Sequence, residues 1–436
     1  MKKYINKTLF LNIYFILFTS ILLYKFVNVI FHHSLKEYWA ITEWLINYQG
    51  GFVRRGLRGE IIFYLNKQFD IDPYTLITII TTSAFIFLFF FFVKGFIRKG
   101  YPIFLLPFVF LLGGPILNNF WMRADIIILI FFTIVIYLAY KKPRFYLIWI
   151  NLFAVLGSLI HEIFVFISFP ILLLMLFTDL KKHYGNFISS AYSFLSLIPF
   201  FVSTLLVSYY KGTSETAFAI WNSLKSLEFP DSAAAEIEHN NMGAIAGIGL
   251  TVTRGISRFS GKFVRMFDFD LYAPIILLFI IICIYFILAN IDKFNDKILG
   301  FAPHNRKNKT LVSKVLLFQF CSTLPLYIIG NDYSRWIFLW VCSSFILLII
   351  ISQERLEAIY PQFIGNISNK INGGLTYLLG NSKGLVFILS LIIGFPLYSW
   401  NLEGSIATSS WYLILSLSFF SSIIKNLFAF LGVQTL

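Results

Sequence analysis

The residues with the clearest potential for chemistry stand in GGFVRRGLRGE, residues 50–60, after the first long apolar segment. Arg54, Arg55 and Arg58 place three guanidinium groups among four glycines. Guanidinium forks bind phosphate oxygens in pairs, and glycines let backbone N–H groups approach a ligand closely. The segment therefore favours an anion-binding clamp. The alternative is a solvated re-entrant turn whose arginines bind lipid phosphates. A Walker A loop is excluded, because no GK[ST] ending follows.

Further polar residues stand at the ends of apolar runs. Histidine titrates near neutrality and carboxylates accept protons, so these residues supply candidate general bases. We rank the bases Glu60, then Asp332, then Glu162 or His161, then Asp125. The other polar residues of these segments are Glu43, Asn118, Asn119, Arg123 and Arg335.

Each of these pairs also has a purely structural interpretation. Arg123–Asp125 and Asp332–Arg335 could be ion pairs that tie helix ends together, and His161–Glu162 could be a satisfied polar pair. Adjacent side chains on a helix point in different directions, so we do not expect both His161 and Glu162 to reach one substrate atom.

Neither a metal site nor a disulfide framework is indicated. The histidines and carboxylates lack zinc-ligand spacing, and no cofactor is expected. Cys283, Cys321 and Cys342 all lie in or beside apolar runs, as is typical of small buried side chains.

The composition predicts a membrane protein. The chain is 58% hydrophobic and 13% charged, with a mean hydropathy of +0.78, whereas a soluble protein carries about 25% charged residues. Apolar runs of about 18–25 residues, long enough to cross a bilayer as helices, recur along the sequence. We therefore expect an all-α polytopic protein with about 12 transmembrane helices (roughly 11–13) in one domain, 1–436, and exclude an outer-membrane barrel. The predicted spans are 8–31, 72–97, 102–118, 125–141, 145–160, 163–179, 187–209, 271–291, 313–330, 336–353, 384–400 and 409–427.

The basic residues predict the orientation. The formal charge of +14 is spread through short loops, which indicates membrane orientation and not nucleic-acid binding. With the N-terminus in the cytoplasm, most basic residues fall inside. Residues 32–71, an amphipathic and arginine-rich loop, and 210–270, a large polar loop, then lie outside. Residues 292–312 form a basic cytoplasmic loop. Arginine is depleted in the external loops of most membrane proteins, so the arginines of residues 50–60 indicate an anionic ligand.

The long external first loop, together with GGFVRRGLRGE, RAD at 123–125, HE at 161–162 and DYSRW at 332–336, is similar to polyprenyl-dependent glycosyltransferases of the GT-C class. Among these, the chain most resembles Wzy-type O-antigen or capsular repeat-unit polymerases. The resemblance implies a GT-C-like bundle in the bacterial inner membrane. It also implies undecaprenyl-diphosphate-linked glycans as donor and acceptor, membrane lipids and a chain-length regulator protein as partners, and no nucleic acid. GT-C enzymes commonly carry a catalytic aspartate in this loop, where this chain offers Glu43 and Glu60, with Asp70 and Asp72 beyond them.

We therefore expect a site at the outer mouth of the bundle, where arginines stabilise a leaving diphosphate. The expected substrate-binding residues are Arg54, Arg55, Arg58, Arg123, Arg335, Glu43 and Trp44. Trp44, Trp121 and Trp336 could stack on sugars or anchor the protein at the interface. Three alternatives stay open: a transferase of single sugars, a flippase for lipid-linked oligosaccharides, and a structural subunit. A flippase should carry cations well inside several spans, and here only Lys25 lies clearly within one.

Overall fold

The structure is a computed structural model of the 436-residue chain. It describes residues 13, 15–17, 19–24, 26–27, 30, 38–118, 120–224, 242–249, 253, 256–257, 272–291, 309–330, 332–380 and 382–394. Within these ranges all regular secondary structure is helical. The α-helices are α1 Tyr38–Trp44, α2 Gly56–Phe69, α3 Pro73–Lys99, α4 Gly114–Leu117, α5 Asp125–Lys141, α6 Tyr146–Ile160, α7 Phe164–Leu180, α8 Asn186–Ser196, α9 Ile198–Tyr209, α10 Ser214–Leu224, α11 Gly243–Ala246, α12 Tyr272–Ala289, α13 Lys309–Ile329, α14 Tyr333–Ile350, α15 Gln353–Ile359, α16 Gln362–Leu379 and α17 Lys383–Gly394. Two 3₁₀ turns cover Ile103–Leu105 and Gly247–Gly249.

Three to five of these elements are candidate membrane spans. The three single helices are Pro73–Lys99, Thr310–Ile329 and Tyr333–Ile350. Two bent pairs, α8 with α9 at 56° and α16 with α17 at 95°, could add one span each. The described residues therefore form an all-helical architecture with three to five candidate apolar spans, whereas the expected total of about 12 spans is not confirmed.

Three other predicted spans are helices at their predicted positions but are shorter than a bilayer crossing needs. α5, α6 and α7 occupy the predicted positions with 17, 15 and 17 residues. At 1.5 Å per residue they are about 22–26 Å long, short of a ~30 Å hydrocarbon core. The predicted span 409–427 and most of 8–31 lie outside the described residues.

Local sequence signals set the ends of the longest helix, α3. The Asp72 side chain accepts a hydrogen bond from the Thr75 backbone N–H at 2.7 Å, and Pro73 occupies the first turn. At the other end, Arg98 and Lys99 lie in the last turn, and Gly100 adopts φ 70°. An acidic N-cap residue and a proline in the first turn favour the start of a helix. Cations in the last turn and a following glycine in the left-handed conformation favour its end.

The core of the bundle surrounds α14, whose residues 333–349 are all buried. α3, α5 and α13 pack around it. Its Trp340 indole donates a hydrogen bond to the Leu316 carbonyl of α13 at 2.8 Å. α14 thus fixes the bundle, and its first turn points toward the charged cluster described below.

The surface of the bundle exposes large apolar side chains. Phe87 and Phe90 of α3 are exposed. α16 buries polar side chains, with Ser368 near Tyr285 at 3.3 Å and Asn372 donating to Ser313 at 2.7 Å, while its Tyr377 is exposed. Polar groups inside and aromatic groups outside are consistent with a membrane protein.

The prediction of a continuous spanning helix at 102–118 is wrong. The segment is a series of turns with one 3₁₀ turn and the four-residue α4, because prolines at 102, 107 and 115 remove backbone donors and block helix propagation. It nevertheless crosses the bundle. Before it, Arg98 donates to the Ile349 carbonyl at the C-terminal end of α14, and after it Arg123 contacts Asp332 at the N-terminal end.

This segment shows how irregular backbone can lie inside an apolar helical bundle. Residues 104–118 are buried throughout, so protein and not lipid surrounds their polar backbone groups. The Val109 N–H, for example, donates to the Gly394 carbonyl at 3.0 Å. Gly113 is required here, because a Cβ atom would lie 1.8 Å from the Pro107 carbonyl oxygen.

A separate group of charges ties the opposite end of the bundle. Asp179, at the end of α7, contacts Lys142 at 2.5 Å and also pairs with Arg355 of α15. Lys99 donates to the Ile351 carbonyl at 3.1 Å. The predicted inside and outside clusters thus lie at opposite ends of α7 and α14. Which end faces the cytoplasm stays a prediction.

Candidate functional site: a buried chain of alternating charges

Charged side chains from four segments meet at one end of the bundle, where α5, α7 and α14 begin. Their signs alternate, and each neighbouring pair is within ion-pair distance. In order, the side chains are Glu162, Arg55, Glu43, Arg123, Asp332, Arg335 and Asp125. We call these seven residues the charge chain. Arg54 joins it at Glu162 and Arg58 joins it at Glu43. The predicted site residues are therefore brought together, with Glu60 as the exception.

The geometry of the arginine segment explains its glycines. Arg55 has φ 65°, a left-handed conformation that costs a non-glycine residue about 1–3 kcal/mol. A Cβ atom on Gly56 would lie 2.2 Å from the Tyr48 ring, and one on Gly59 would lie 2.0 Å from the Ile46 carbonyl oxygen. These glycines therefore let α2 pack against residues 46–48. The sequence predicts that these glycines make room for a ligand, whereas in the structure they make room for residues 46–48 of the same chain.

Glu43 is the centre of the cluster, and its side chain is 0% exposed. Its carboxylate lies 3.0 Å from Arg123 Nε, 3.4 Å from both Arg55 Nη1 and Arg58 Nη2, and 3.3 Å from His161 Nε2. Burial by itself raises the pKa of Glu43, but the surrounding guanidinium groups, Arg123 first, hold that pKa well below its ordinary value. Glu43 is therefore a buried carboxylate anion that neutralises several cations at once.

Arg58 is buried deeper than the other two arginines of its segment. Its guanidinium carbon lies 5.0 Å from the centroid of the Trp44 ring, and its Nη2 lies 3.4 Å from Glu43. None of its three side-chain nitrogens makes a hydrogen bond within the described residues. Burial lowers the pKa of Arg58 to about 10 despite the attraction of Glu43. Arg58 is thus a desolvated cation with an ion-pair partner but no hydrogen-bond acceptor.

Glu162 pairs with arginine at one end of the charge chain. Its two carboxylate oxygens accept hydrogen bonds from Arg55 Nε at 3.1 and 2.9 Å, and Arg55 Nη2 donates to the same group. Arg54 Nη1 lies 3.7 Å away. The Glu162 side chain is 22% exposed. Burial raises its pKa, but the Arg55 charge and hydrogen bonds prevail and hold that pKa well below the ordinary value.

His161 lies between two carboxylates. Its Nε2 is 3.3 Å from Glu43, and its Nδ1 is 3.2 Å from Glu162. His161 and Glu162 stand on the short connection between α6 and α7, not within a helix. The rule for adjacent helical residues therefore does not apply, and both side chains face the cluster.

The other end of the charge chain holds one of the two predicted ion pairs, Asp332–Arg335, whereas Asp125 pairs with Arg335 and not with Arg123. Arg335 binds Asp125 through Nε and Nη2 at 2.8 and 3.1 Å, and both side chains are buried. Asp332 contacts Arg335 at 2.6 Å and Arg123 at 3.0 Å, and its side chain is 43% exposed. Burial raises the pKa of Asp332, but Arg123 and Arg335 bring it below its ordinary value. These bonds tie α5 to α14.

Glu60, ranked first among the predicted bases, lies apart from the charge chain. Its Oε2 accepts a hydrogen bond from the Tyr48 backbone N–H at 2.7 Å, and its Oε1 accepts one from Gln49 Nε2 at 2.9 Å. Glu60 therefore stabilises the turn before the arginine segment. Together with burial, its charge raises the pKa of Tyr48 to about 12.

The three predicted sugar-stacking tryptophans are all buried. Trp44 donates to the Met122 carbonyl at 2.5 Å, and Trp121 and Trp336 have little exposed surface. An exposed aromatic group that the sequence analysis missed lies beside the arginine segment. The Phe52 ring stacks on Tyr48 with centroids 5.4 Å apart and meets Tyr210 edge-on at 5.4 Å. Its only sequence signal is the aromatic residue two positions before Arg54.

The electrostatics of the site follow from its composition. Arg54, Arg55, Arg58, Arg123 and Arg335 bring five positive charges, against four carboxylates of the charge chain. The cluster is therefore nearly neutral and slightly cationic. In the described part of the chain, no three His, Cys, Asp or Glu side chains are grouped to hold a metal ion. The chemistry this arrangement can supply is anion binding and proton transfer.

Comparisons of the chain with protein-family models, with curated proteins and with solved structures give no match. The function is therefore inferred from the charge chain and from the surfaces next to it.

Proposed function

We propose that this protein is a membrane glycosyltransferase that polymerises undecaprenyl-diphosphate-linked oligosaccharide repeat units. The observation that carries the proposal is the charge chain, in which arginines are held in a largely desolvated site at one end of an apolar bundle. Arg55, with a side chain 21% exposed, presents this cationic site to a ligand. A lipid carrier keeps its diphosphate at the membrane surface, where such a site can receive it.

The proposed step is displacement at an anomeric carbon. An acceptor hydroxyl oxygen forms the new bond to that carbon, and the bond from the carbon to the diphosphate oxygen breaks. The diphosphate leaves with the electron pair and gains negative charge, which nearby guanidinium groups stabilise without reorganising. The hydroxyl proton passes to a carboxylate of the site. Exposed Phe52 and Tyr210, beside the arginine segment, offer aromatic faces to the sugars.

Transfer of single sugars uses the same chemistry, so the polymerase form rests on the resemblance stated above. A flippase is less well supported. The charges of the three single-helix spans lie near helix ends: Lys94, Arg98 and Lys99 near the end of α3, Lys314 near the start of α13, and Arg335 in the first turn of α14. A translocation path would place cations at mid-depth. Lys25 lies outside the described residues.

The test is complementation of a strain that lacks this gene, with the surface glycan resolved by gel electrophoresis. The wild-type gene should restore the long-chain ladder, and Arg55→Ala should leave single repeat units while the protein reaches the membrane in normal amount. The expected loss of rate is about 100-fold or more, since removing one such donor costs about 2.7–4 kcal/mol of transition-state stabilisation.

Arg355→Ala is the matched control. Arg355 is 17% exposed and also pairs with a partly buried carboxylate, Asp179, but at the opposite end of the bundle. This variant should keep a normal ladder. A deletion strain whose glycan ladder is unchanged would refute the proposed function, and a normal ladder with Arg55→Ala would refute the role of the charge chain.

A further inference from the structure

We infer that Glu162 is an internal counter-ion that occupies the phosphate-binding position of Arg55, and that a substrate diphosphate takes its place. This inference rests on the proposed function and specifies how its site binds the leaving group. It assigns one anion subsite within the charge chain and names the group that must leave it.

The geometry of the Arg55–Glu162 pair is that of a bound oxyanion. Nε and Nη2 of one guanidinium group both donate to the Glu162 carboxylate, whose two oxygens accept. Phosphate oxygens match the same two-donor fork. A phosphate in this position would keep every Arg55 hydrogen bond that Glu162 now accepts, so exchange leaves no donor unpaired.

The other carboxylates of the charge chain do not offer such a position. Displacing Asp332 would free single Nη1 groups on Arg123 and Arg335, while Arg123 keeps Glu43 and Arg335 keeps Asp125. Glu43 is fully buried, and a ligand cannot replace it from solvent. Asp125 is bound by Nε and Nη2 of Arg335 but is fully buried, so Glu162 alone among the four carboxylates of the charge chain combines a two-donor fork with partial exposure.

The local backbone also permits the exchange. Glu162 stands in the three-residue connection between Ile160, the last residue of α6, and Phe164, the first of α7. Rotation of one side chain there breaks no hydrogen bond within either helix. Arg55, in contrast, begins α2 in a left-handed conformation and also contacts Glu43, so the guanidinium stays in place while its partner changes.

The exchange gives Glu162 a second role. While paired with Arg55, its carboxylate is a weak proton acceptor. Once the diphosphate binds Arg55, the released carboxylate loses that stabilisation and becomes more basic, next to the bound leaving group. Glu162 can then accept the proton of the attacking hydroxyl, whose oxygen bonds to the anomeric carbon as the diphosphate departs. Binding of the donor thus prepares the base.

The experiment measures binding of inorganic pyrophosphate to the purified full-length protein in phospholipid-free detergent by isothermal titration calorimetry. Glu162→Gln removes the competing charge and should bind pyrophosphate about tenfold or more tightly than the wild type, equivalent to 1.4 kcal/mol. The same variant should fail to restore the glycan ladder, because glutamine cannot accept the proton. Unchanged or weaker binding would overturn the inference.

Three comparisons make the result specific. Asp332→Asn should change the affinity less than about threefold, because it frees no fork. Asp179→Asn makes the same charge change at the opposite end of the bundle and should leave pyrophosphate binding unchanged. If Asp179→Asn tightened pyrophosphate binding as much as Glu162→Gln does, the effect would be one of net charge and the inference would be overturned. A short-chain phosphatidylglycerol that binds Glu162→Gln more tightly than pyrophosphate would overturn the assignment to a diphosphate and indicate a phospholipid headgroup.

The pyrophosphate-binding measurement and the glycan-ladder measurement can fail independently of each other. Tighter pyrophosphate binding with an intact ladder in the gene-deletion strain would support the anion subsite and refute the glycan function. Loss of the ladder in that strain together with unchanged pyrophosphate binding would support the function and refute the exchange.

Discussion

Replacing Glu43 by glutamine removes the negative charge at the centre of the charge chain and keeps the size of the side chain. Four cationic or ionisable groups contact this carboxylate within 3.4 Å, from Arg55, Arg58, Arg123 and His161. The last three of these side chains are at most 13% exposed. Water therefore cannot readily replace the lost carboxylate, and Glu43→Gln should destabilise the fold strongly.

The size of the effect follows from the burial of Arg58. This guanidinium has Glu43 as its ion-pair partner and no hydrogen-bond acceptor in the described residues. Removing one member of a buried ion pair costs about 3–5 kcal/mol, because the remaining charge is uncompensated. Arg123 retains Asp332 and Arg55 retains Glu162, so their contribution is smaller. We expect a total loss near the upper end of that range.

The assay is the free energy of unfolding, measured by titration with a denaturing detergent and monitored by tryptophan fluorescence. The matched control is Glu60→Gln, whose carboxylate accepts hydrogen bonds from the turn outside the cluster and should cost about 1–2 kcal/mol. The double variant Glu43→Gln with Arg58→Met should regain a large part of the loss, since the stranded cation is gone. A loss below about 1 kcal/mol for Glu43→Gln, or no recovery in the double variant, would refute the assignment of Glu43 as the central counter-charge.

Two further outcomes follow from the same contacts. The free energy of unfolding should stay constant from pH 7 to about 5 and fall at lower pH. The folded-state pKa values of Glu43, Glu162 and Asp332 are lowered, so these carboxylates stabilise the fold above their unfolded-state pKa, and that stability is lost as they become protonated. The detergent titration repeated across pH should show a shallower fall for Glu162→Gln than for the wild type, and an equal slope would contradict this account. Gly59→Ala should lose about 1–3 kcal/mol in that titration, because its Cβ would lie 2.0 Å from a backbone oxygen, whereas Gly373→Ala, with nothing within 4 Å inside α16, should gain about 0.5–1 kcal/mol.

Much of the secondary structure could be predicted from the sequence, because long apolar runs with charged ends admit few alternatives. The helices at 125–141, 146–160 and 164–180 lie within a residue or two of their predicted positions. The segment 102–118 is as apolar as these, and hydropathy alone cannot separate them. Its three prolines were the available signal, and they decided the structure.

The members of the site were also predictable, but their pairing was not. Charges at the ends of apolar runs must meet ligand, water or one another, which brought Arg55, Arg123, His161 and Arg335 into consideration. Which carboxylate becomes central depends on tertiary distances that carry no local signal. The sequence analysis ranked Glu60 first as a base and gave Glu43 only a substrate-binding role, whereas the fold buries Glu43 among guanidinium groups and hydrogen-bonds Glu60 to its own turn.

A nearly neutral cluster is not an obstacle to anion binding but a condition for it. Several arginines cannot be gathered in a desolvated site without counter-charges, because their mutual repulsion and the loss of hydration would destabilise the fold. A permanently buried anion such as Glu43 neutralises the arginines so that the folded state is stable. An anion that can leave makes its position available to a ligand. Glu162, partly exposed and bound by one arginine fork, has the properties of the second kind. The larger contribution to stability should therefore come from Glu43 and the control of ligand binding from Glu162, and variants of these two residues should separate the two effects.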